Sequence, residues 1–411
     1  MSSFLLISDS YPPEICAASV LMRELSENLT QSGHQVDVLT VQPVYRVIEQ
    51  RKIPELIEEE SLRIIRVEIP KIRTKNLYIR GINTIRSPHH LLHNSKKYLK
   101  SSYDCIVAYA PPINFGLAAK VLKRQKKSSF FLLLRDIFPQ NAIDLGLMCN
   151  RAVIKYFEGV EKRVYDASDM IFAQSEENRD FLINRKNVPE KMVEVQYNWV
   201  DLAKFDRNQK IDFKAEFGLV DKKVILFAGT LGPAQGLENL ISLAESFKEL
   251  PDIVFLVVGR GRVKNELIKQ AQERKLSNIV FKDFITPDLY PDLVRSVDCG
   301  LILLSLNNHT PIVPGKLTGF MAGKLPFVAL INPESTDTMR IIDQAQCGNY
   351  VTTNDINAIK EKICCIIQDK NHRAKLGWNG RRYAEEHFTV KRTVSKIENA
   401  QKRFSDRQVD S

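Results

Sequence analysis

Phe227-Ala-Gly-Thr-Leu-Gly-Pro-Ala-Gln-Gly-Leu-Glu238 decides how this chain is read. An apolar run, Val224–Ala228, leads into it, Gly229, Gly232 and Gly236 follow, and a helix is predicted from about Leu237. Strand, glycine-rich turn and helix in that order are one step of a parallel α/β unit. Glycines let backbone approach a phosphate closely, and a helix start offers free N–H groups and the positive end of its dipole. The glycine steps of three and four depart from G-x-G-x-x-G, which weakens a nicotinamide reading. A glycine turn without a ligand stays open as the alternative.

The same alternation runs outward in both directions. Towards the C-terminus, Val254–Val258, Ile279–Phe281, Cys299–Leu303 and Phe327–Leu330 read as strands. Helices are predicted between them near 237–249, 262–275, 288–296, 312–322 and 336–346, and the chain from about 355 reads as wholly helical. Towards the N-terminus, strands are predicted at Phe4–Ser8, Gln35–Thr40, Arg63–Val67, Cys105–Tyr109, Phe130–Leu134 and Met170–Ala173, with an amphipathic helix near 17–32. The polar stretch 197–208 reads as a hinge. Two Rossmann-like halves around a hinge place a ligand in a cleft at the carboxyl ends of the strands. Fold alone does not give the chemistry.

Three more stretches carry chemistry-bearing residues. Val258-Gly-Arg-Gly-Arg262 repeats the strand–turn–helix pattern, and Arg260 and Arg262 are either phosphate or base contacts or simply exposed cations. In Pro311-Ile-Val-Pro-Gly-Lys-Leu-Thr-Gly-Phe-Met-Ala-Gly-Lys324, Pro314 suits an early helical position, and Leu317, Phe320 and Met321 form a core stripe. Lys316 in the first turn opposes the helix dipole, which favours an anionic partner over a merely solvated lysine. Leu134-Arg-Asp-Ile-Phe-Pro139 follows a very apolar strand, so Arg135 and Asp136 are expected at its carboxyl end, facing the cleft or paired at the surface. His34 reads as structural.

Composition sets the bounds. The 411 residues, 44% hydrophobic and 26% charged, fit a soluble globular chain of two or three domains. The net charge of +10 is local: residues 71–100 hold eight Lys or Arg and no acid, 360–411 carry +6, and the remainder is −4. Interleaving of Leu77, Tyr78, Ile79, Ile82, Ile85, Leu91 and Leu92 with those cations favours an anionic surface over a solvated helix face. A nucleic-acid partner is not expected, because no reading helix, zinc finger or stacking aromatics accompany the charge. Seven scattered cysteines with no metal-ligand spacing suit a reducing cytoplasm. The opening MSSFLLISDS lacks the basic flank and length of a signal peptide, and the apolar runs fall short of the ~20 residues that span a bilayer.

Together these residues resemble the retaining, nucleotide-sugar-dependent glycosyltransferases of family 4, with the GT-B fold, over nearly the whole chain. The marks are Tyr11-Pro-Pro-Glu14, Gly33-His34-Gln-Val-Asp-Val38, Gly229 to Gly236, Gly259-Arg-Gly261, Asp298, Pro314-Gly-Lys-Leu317 and Cys347-Gly348. Arg135-Asp-Ile-Phe-Pro-Gln-Asn-Ala-Ile-Asp-Leu-Gly146 is similar to the WbuB-like branch that builds O-antigen, colanic acid and capsule. The resemblance implies an N-terminal acceptor domain over 1–203, a donor domain over 204–385, and a last helix over 386–411 that crosses back onto the first domain, bringing both basic blocks to one face.

It further implies transfer of an N-acetylated hexosamine or deoxyhexosamine from a nucleotide diphosphate sugar, UDP-linked as the family prior, to a polyprenyl-diphosphate-linked saccharide. The work would be done at the cytoplasmic leaflet, without a metal or other cofactor. Lys316, Arg135 and Asp136 are the implied catalytic residues. Gly229, Thr230, Gly232, Gln235, Gly236, Gly259, Arg260, Arg262, Pro314, Gly315, Leu317 and Gly319 fall on the donor side, and Tyr11, Glu14, Cys16 and Ala17 on the acceptor side. Retention by front-face attack needs no protein nucleophile.

The departures are specific. Thr230 and Gln235 stand roughly where members carry the arginine and lysine that hold the donor diphosphate. Pro311 and Gly319 replace the two glutamates of E-x7-E, the second of which holds the ribose, and Cys16-Ala17 replaces a glycine pair. A catalytically silent partner protein and a non-hydrolysing UDP-sugar 2-epimerase are the rival readings.

Overall fold

The computed structural model describes residues 1–43, 53–72, 77–307 and 309–409. The chain forms two compact units, Met1–Trp199 with Val390–Ser411, and Val200–Thr389.

Unit 1 carries β1 (Ser3–Ile7), β2 (Gln35–Val41), β3 (Leu56–Glu59), β4 (Leu62–Val67), β5 (Cys105–Ala110), β6 (Ser129–Leu134), β7 (Met170–Ala173) and β8 (Val193–Val195). They form one sheet in the order β3-β4-β2-β1-β5-β6-β7-β8, parallel except for the β3–β4 hairpin. β5 and β6 are buried along their whole length, as parallel strands covered on both faces must be. One face, with Leu5, Ile7, Leu132 and Leu134, packs against helices Leu77–Ser95, Phe115–Lys126 and Arg151–Tyr165. The other, with Phe4, Leu6, Phe131 and Leu133, packs against helices Ala17–Gln31 and Val390–Val409. The helix Leu77–Ser95 of the first basic block and the helix Val390–Val409 of the second therefore pack on opposite faces of this sheet, while residues 360–389 of the second block belong to unit 2. Arg73 and Lys75 of the first block lie outside the described residues.

Unit 2 carries β9 (Lys223–Ala228), β10 (Ile253–Val258), β11 (Ile279–Lys282), β12 (Cys299–Leu303), β13 (Phe327–Leu330) and β14 (Gly348–Val351). Their order, β11-β10-β9-β12-β13-β14, is wholly parallel and reverses between β9 and β12. In unit 1 the reversal falls between β1 and β5. Connections leave a sheet towards opposite sides at such a point, and the carboxyl ends there form a ready crevice.

The units divide at Trp199/Val200 and Thr389/Val390, where the sequence placed the boundaries at 203/204 and 385/386. Packing explains the difference. Trp199 is buried in the unit 1 core. The helix Lys370–His387 is held to unit 2 by close backbone approach, since a Cβ at Gly377 would sit 2.2 Å from the Lys324 carbonyl oxygen. The helix Val390–Val409 is tied into unit 1 by His34 Nε2 to Glu398 Oε1 at 2.8 Å and Gln196 Nε2 donating to Thr393 Oγ1 at 2.8 Å. Asp298 accepts from the β9 amide of Val224 at 2.9 Å and pairs with Lys214 and Arg373, so it fastens the amino end of β12.

Candidate functional site

Three loops of unit 2 meet at the carboxyl ends of its central strands: 229–236 after β9, 259–262 after β10 and 304–307 after β12. Their backbones touch. Gly229 N donates to Val258 O at 2.9 Å, Leu231 N to Arg260 O at 2.9 Å, and Ser305 N to Ala234 O at 3.1 Å. A Cβ at Gly259 would lie 1.9 Å from Gly229 O, one at Gly261 1.9 Å from Leu231 O, and one at Gly236 2.7 Å from Leu304 O. These three glycines bring loop against loop. Gly232 differs, because its nearest neighbour would be Thr230 Cγ2 at 3.7 Å in ordinary contact. Gly229, Thr230, Arg260 and Arg262 are exposed, and the Arg260 guanidinium lies 5.7 Å from the Phe284 ring centre.

Lys316 converges on this crevice. The expected helix from 312 begins at Gly315, with Pro314 in extended conformation ahead of it. Lys316 thus sits in the first turn of Gly315–Ala322. Its ammonium donates to Gln235 Oε1, lies 4.6 Å from the Phe227 ring centre and crowds Gly229, where a Cβ would be 3.0 Å from Lys316 Cε. Among the described residues no carboxylate pairs with it. The side chain is half-buried and its amine is hemmed in, so desolvation pulls its pKa down from 10.5 to about 8. A desolvated cation held by one amide oxygen and a ring face is poised for an anion. Leu317 is fully buried in the core, so its side chain reaches no ligand. Gly319 is buried against Tyr290. Neither the Phe227 ring under the Lys316 ammonium nor the approach of Tyr290 to Gly319 is signalled by any spacing in the sequence.

Unit 1 changes the expected acceptor side. β6 alternates, with Phe131 and Leu133 on the Trp199 face, and Arg135 continues that face. Its guanidinium donates to the Gln196 carbonyl, lies 5.3 Å from the Trp199 ring centre and is 5% exposed. Burial pulls its pKa down to about 10. Arg135 therefore braces the segment 196–199 of unit 1 rather than emerging beside Asp136. Asp136 is half-buried, and burial raises its carboxyl pKa above the ordinary value. Tyr11 is buried with its hydroxyl on Ser26 Oγ at 2.8 Å, and burial pushes its pKa up to about 12, so it packs rather than presents a group. Glu14 is buried in the same turn, its amide donating to Tyr11 O at 3.1 Å. Cys16 precedes the helix Ala17–Gln31 without a side-chain cap, and Ala17 is exposed. Among the described residues, no three His, Cys, Asp or Glu side chains converge as metal ligands.

Two family models match the chain side by side. Glycosyltransferase Family 4 matches residues 18–204, and Glycosyl transferases group 1 matches residues 209–383. WcaI of Escherichia coli (strain K12), provisionally named a colanic acid biosynthesis glycosyl transferase, is 26% identical over 328 residues, 76% of this chain and 79% of its own. Sucrose-phosphate synthase from Thermosynechococcus elongatus superposes with a TM-score of 0.77 at 16% identity, covering 99% of this chain and 100% of that one. Anabaena HepE in complex with UDP-glucose gives 0.68 at 15% identity, covering 97% and 100%.

Proposed function

The chain belongs to the family 4 glycosyltransferases of the GT-B fold, and from that premise we propose that it builds surface polysaccharide by retaining transfer from a nucleoside diphosphate sugar. The observation that carries this is Lys316, a desolvated cation without a carboxylate, at the switch point of a parallel sheet. HepE, which binds UDP-glucose in its complex, supports a uridine nucleotide as donor, and WcaI, named for colanic acid, supports a polysaccharide product.

In the proposed reaction an acceptor hydroxyl forms the new bond to the anomeric carbon as the bond to the diphosphate oxygen breaks. The hydroxyl proton passes to that departing phosphate oxygen, so the transfer balances without a protein nucleophile. Lys316 neutralises charge as it builds on the leaving diphosphate, assisted by the amides around Gly232. Asp136, kept less acidic than usual by burial, orients the acceptor.

The test is the pH dependence of nucleotide affinity. Lys316 loses its proton as pH rises through about 8, so the dissociation constant for UDP, read by calorimetry, should rise progressively above that pH. The Lys316→Met variant should show no such slope. An equal slope in both would place the nucleotide elsewhere.

The acceptor is proposed to be lipid-linked, met at an anionic membrane surface by the helix Leu77–Ser95. That helix exposes Ile79 (50%), Ile82 (55%) and Ile85 (49%) beside Arg80 and Arg86, the mixture that suits an interfacial helix. Lys100 is not free for this role, because its ammonium is 3.2 Å from buried Asp37, and Lys97 pairs with Glu55 at 3.5 Å. Replacing the three isoleucines by serine, with Arg80 and Arg86 to glutamate, should abolish sedimentation with phosphatidylglycerol vesicles and leave the melting temperature unchanged. Undiminished sedimentation would assign the charge to solubility alone.

A further inference from the structure

We infer that unit 1 carries a phosphate site built by Arg66 of β4 and Thr40 of β2, and that it takes the phosphate of the acceptor. The choice of ligand, though not the site, rests on the lipid-linked acceptor proposed above. The two residues are register partners on neighbouring parallel strands, about 4.8 Å apart at the backbone. Val36 and Val38 of β2 and Leu62 and Ile64 of β4 face the core shared with the helix Ala17–Gln31. The period of two puts Thr40 and Arg66 on that same face, towards the carboxyl ends of their strands.

The polar atoms there lack partners. Arg66 is 3% exposed, and its Nη2 donates to the Pro12 carbonyl oxygen at 2.5 Å, but Nε and Nη1 have no partner among the described residues. Thr40 is fully buried and its Oγ1 has none either. Ser19, in the first turn of the covering helix, adds a third buried and unpartnered group, its Oγ. Buried polar groups are normally hydrogen-bonded and buried charges paired. Among the described residues no carboxylate pairs with Arg66, and burial holds its pKa below the ordinary guanidinium value. Water would accept from those nitrogens but leave the charge uncompensated, which is the costlier deficit. A phosphate meets both needs, and the guanidinium and both hydroxyls can donate to it. Arg66 also lines a cavity of about 710 Å³ whose other walls include Lys96 and Lys97, just beyond the helix Leu77–Ser95. The acids in its walls are Glu55, engaged by the Tyr98 hydroxyl and Lys97, and exposed Glu68. The cavity thus lies between Arg66 and the helix proposed to meet the membrane, which favours a phosphate carried on a lipid chain.

The experiment is calorimetric titration of the full chain carrying Lys316→Met, so that the proposed donor site does not contribute, and of the same chain with Arg66→Met or Thr40→Val added. Farnesyl diphosphate, pyrophosphate and farnesol are the probes. Farnesyl diphosphate should bind, and Arg66→Met should weaken it by about ten- to a hundred-fold, the size of a hydrogen bond to a charged group. Thr40→Val should weaken it by about three- to ten-fold, the size of a neutral one. Farnesol, which has no phosphate, should respond to neither substitution. Thr40→Val keeps the shape of the side chain and removes an unpaired hydroxyl, so its melting temperature should not fall, and it carries the test where Arg66→Met does not fold. Pyrophosphate binding as tightly as farnesyl diphosphate, with the same dependence on Arg66 and Thr40, would keep the phosphate site but overturn its assignment to a lipid-linked acceptor. Unchanged affinity for farnesyl diphosphate in Thr40→Val or in a folded Arg66→Met, or no binding of either diphosphate, would overturn the site itself and leave the nucleotide at Lys316 untouched.

Discussion

Lys316→Met should lower turnover of the sugar nucleotide by about 10²–10³-fold, the loss seen when one preorganised donor to a developing oxyanion is removed. The melting temperature should not fall with it. In the folded chain the Lys316 pKa is about 8 against 10.5 for the ordinary side chain. The folded state therefore binds this proton less readily than the unfolded state. The charged amine costs stability below about pH 8, and the cost fades as pH rises from there towards 10.5. At neutral pH the uncharged methionine removes that cost while roughly preserving volume. A variant that is inactive yet melts no lower than the natural chain marks Lys316 as a ligand-binding group. A variant that is inactive because it melts far lower would mark it as structural.

Gly261→Ala should be the most damaging of the small substitutions. The added carbon would lie 1.9 Å from the Leu231 carbonyl oxygen and 2.5 Å from its carbon, both backbone atoms with nowhere to move. Overpacking of this kind costs about 3 kcal/mol, or roughly 6–12 °C in melting temperature for a unit of this size. Because the displaced loop also shapes the Lys316 crevice, nucleotide binding should fail at temperatures where the variant is still folded. Gly232→Ala is the contrast. Its backbone is extended, at φ −136°, and its surroundings are open, so the melting temperature should hold. If Gly261→Ala melts like the natural chain, the loops do not depend on each other as described.

Much of the architecture was legible because parallel strands buried on both faces read as unbroken apolar runs. Met170–Ala173, Cys299–Leu303 and Phe327–Leu330 coincide with β7, β12 and β13. The missed strands lie at sheet edges, where burial no longer dictates composition: β3 ends in exposed glutamates, β8 has three residues, and β14 is only partly buried. Arg135 was misplaced by reading the end of β6 without its period of two, since Phe131 and Leu133 already pointed at Trp199. The glycines were legible as necessary but not as to why, because contact between loops from β9, β10 and β12 depends on strand order. The pairing of Lys316 with Gln235, 81 residues apart, and of Gly319 with Tyr290 is long-range packing that no local pattern encodes.

The central claim is that unit 2 holds a nucleoside diphosphate at Lys316. Thermal unfolding of the natural chain and of Lys316→Met in the presence of UDP, GDP and ADP tests it most directly. A ligand that binds the folded state at a hundred times its dissociation constant adds about 2.7 kcal/mol to stability. At least one nucleotide should raise the melting temperature of the natural chain and leave that of Lys316→Met unmoved. No rise with any nucleotide, or an equal rise in both proteins, would contradict the claim.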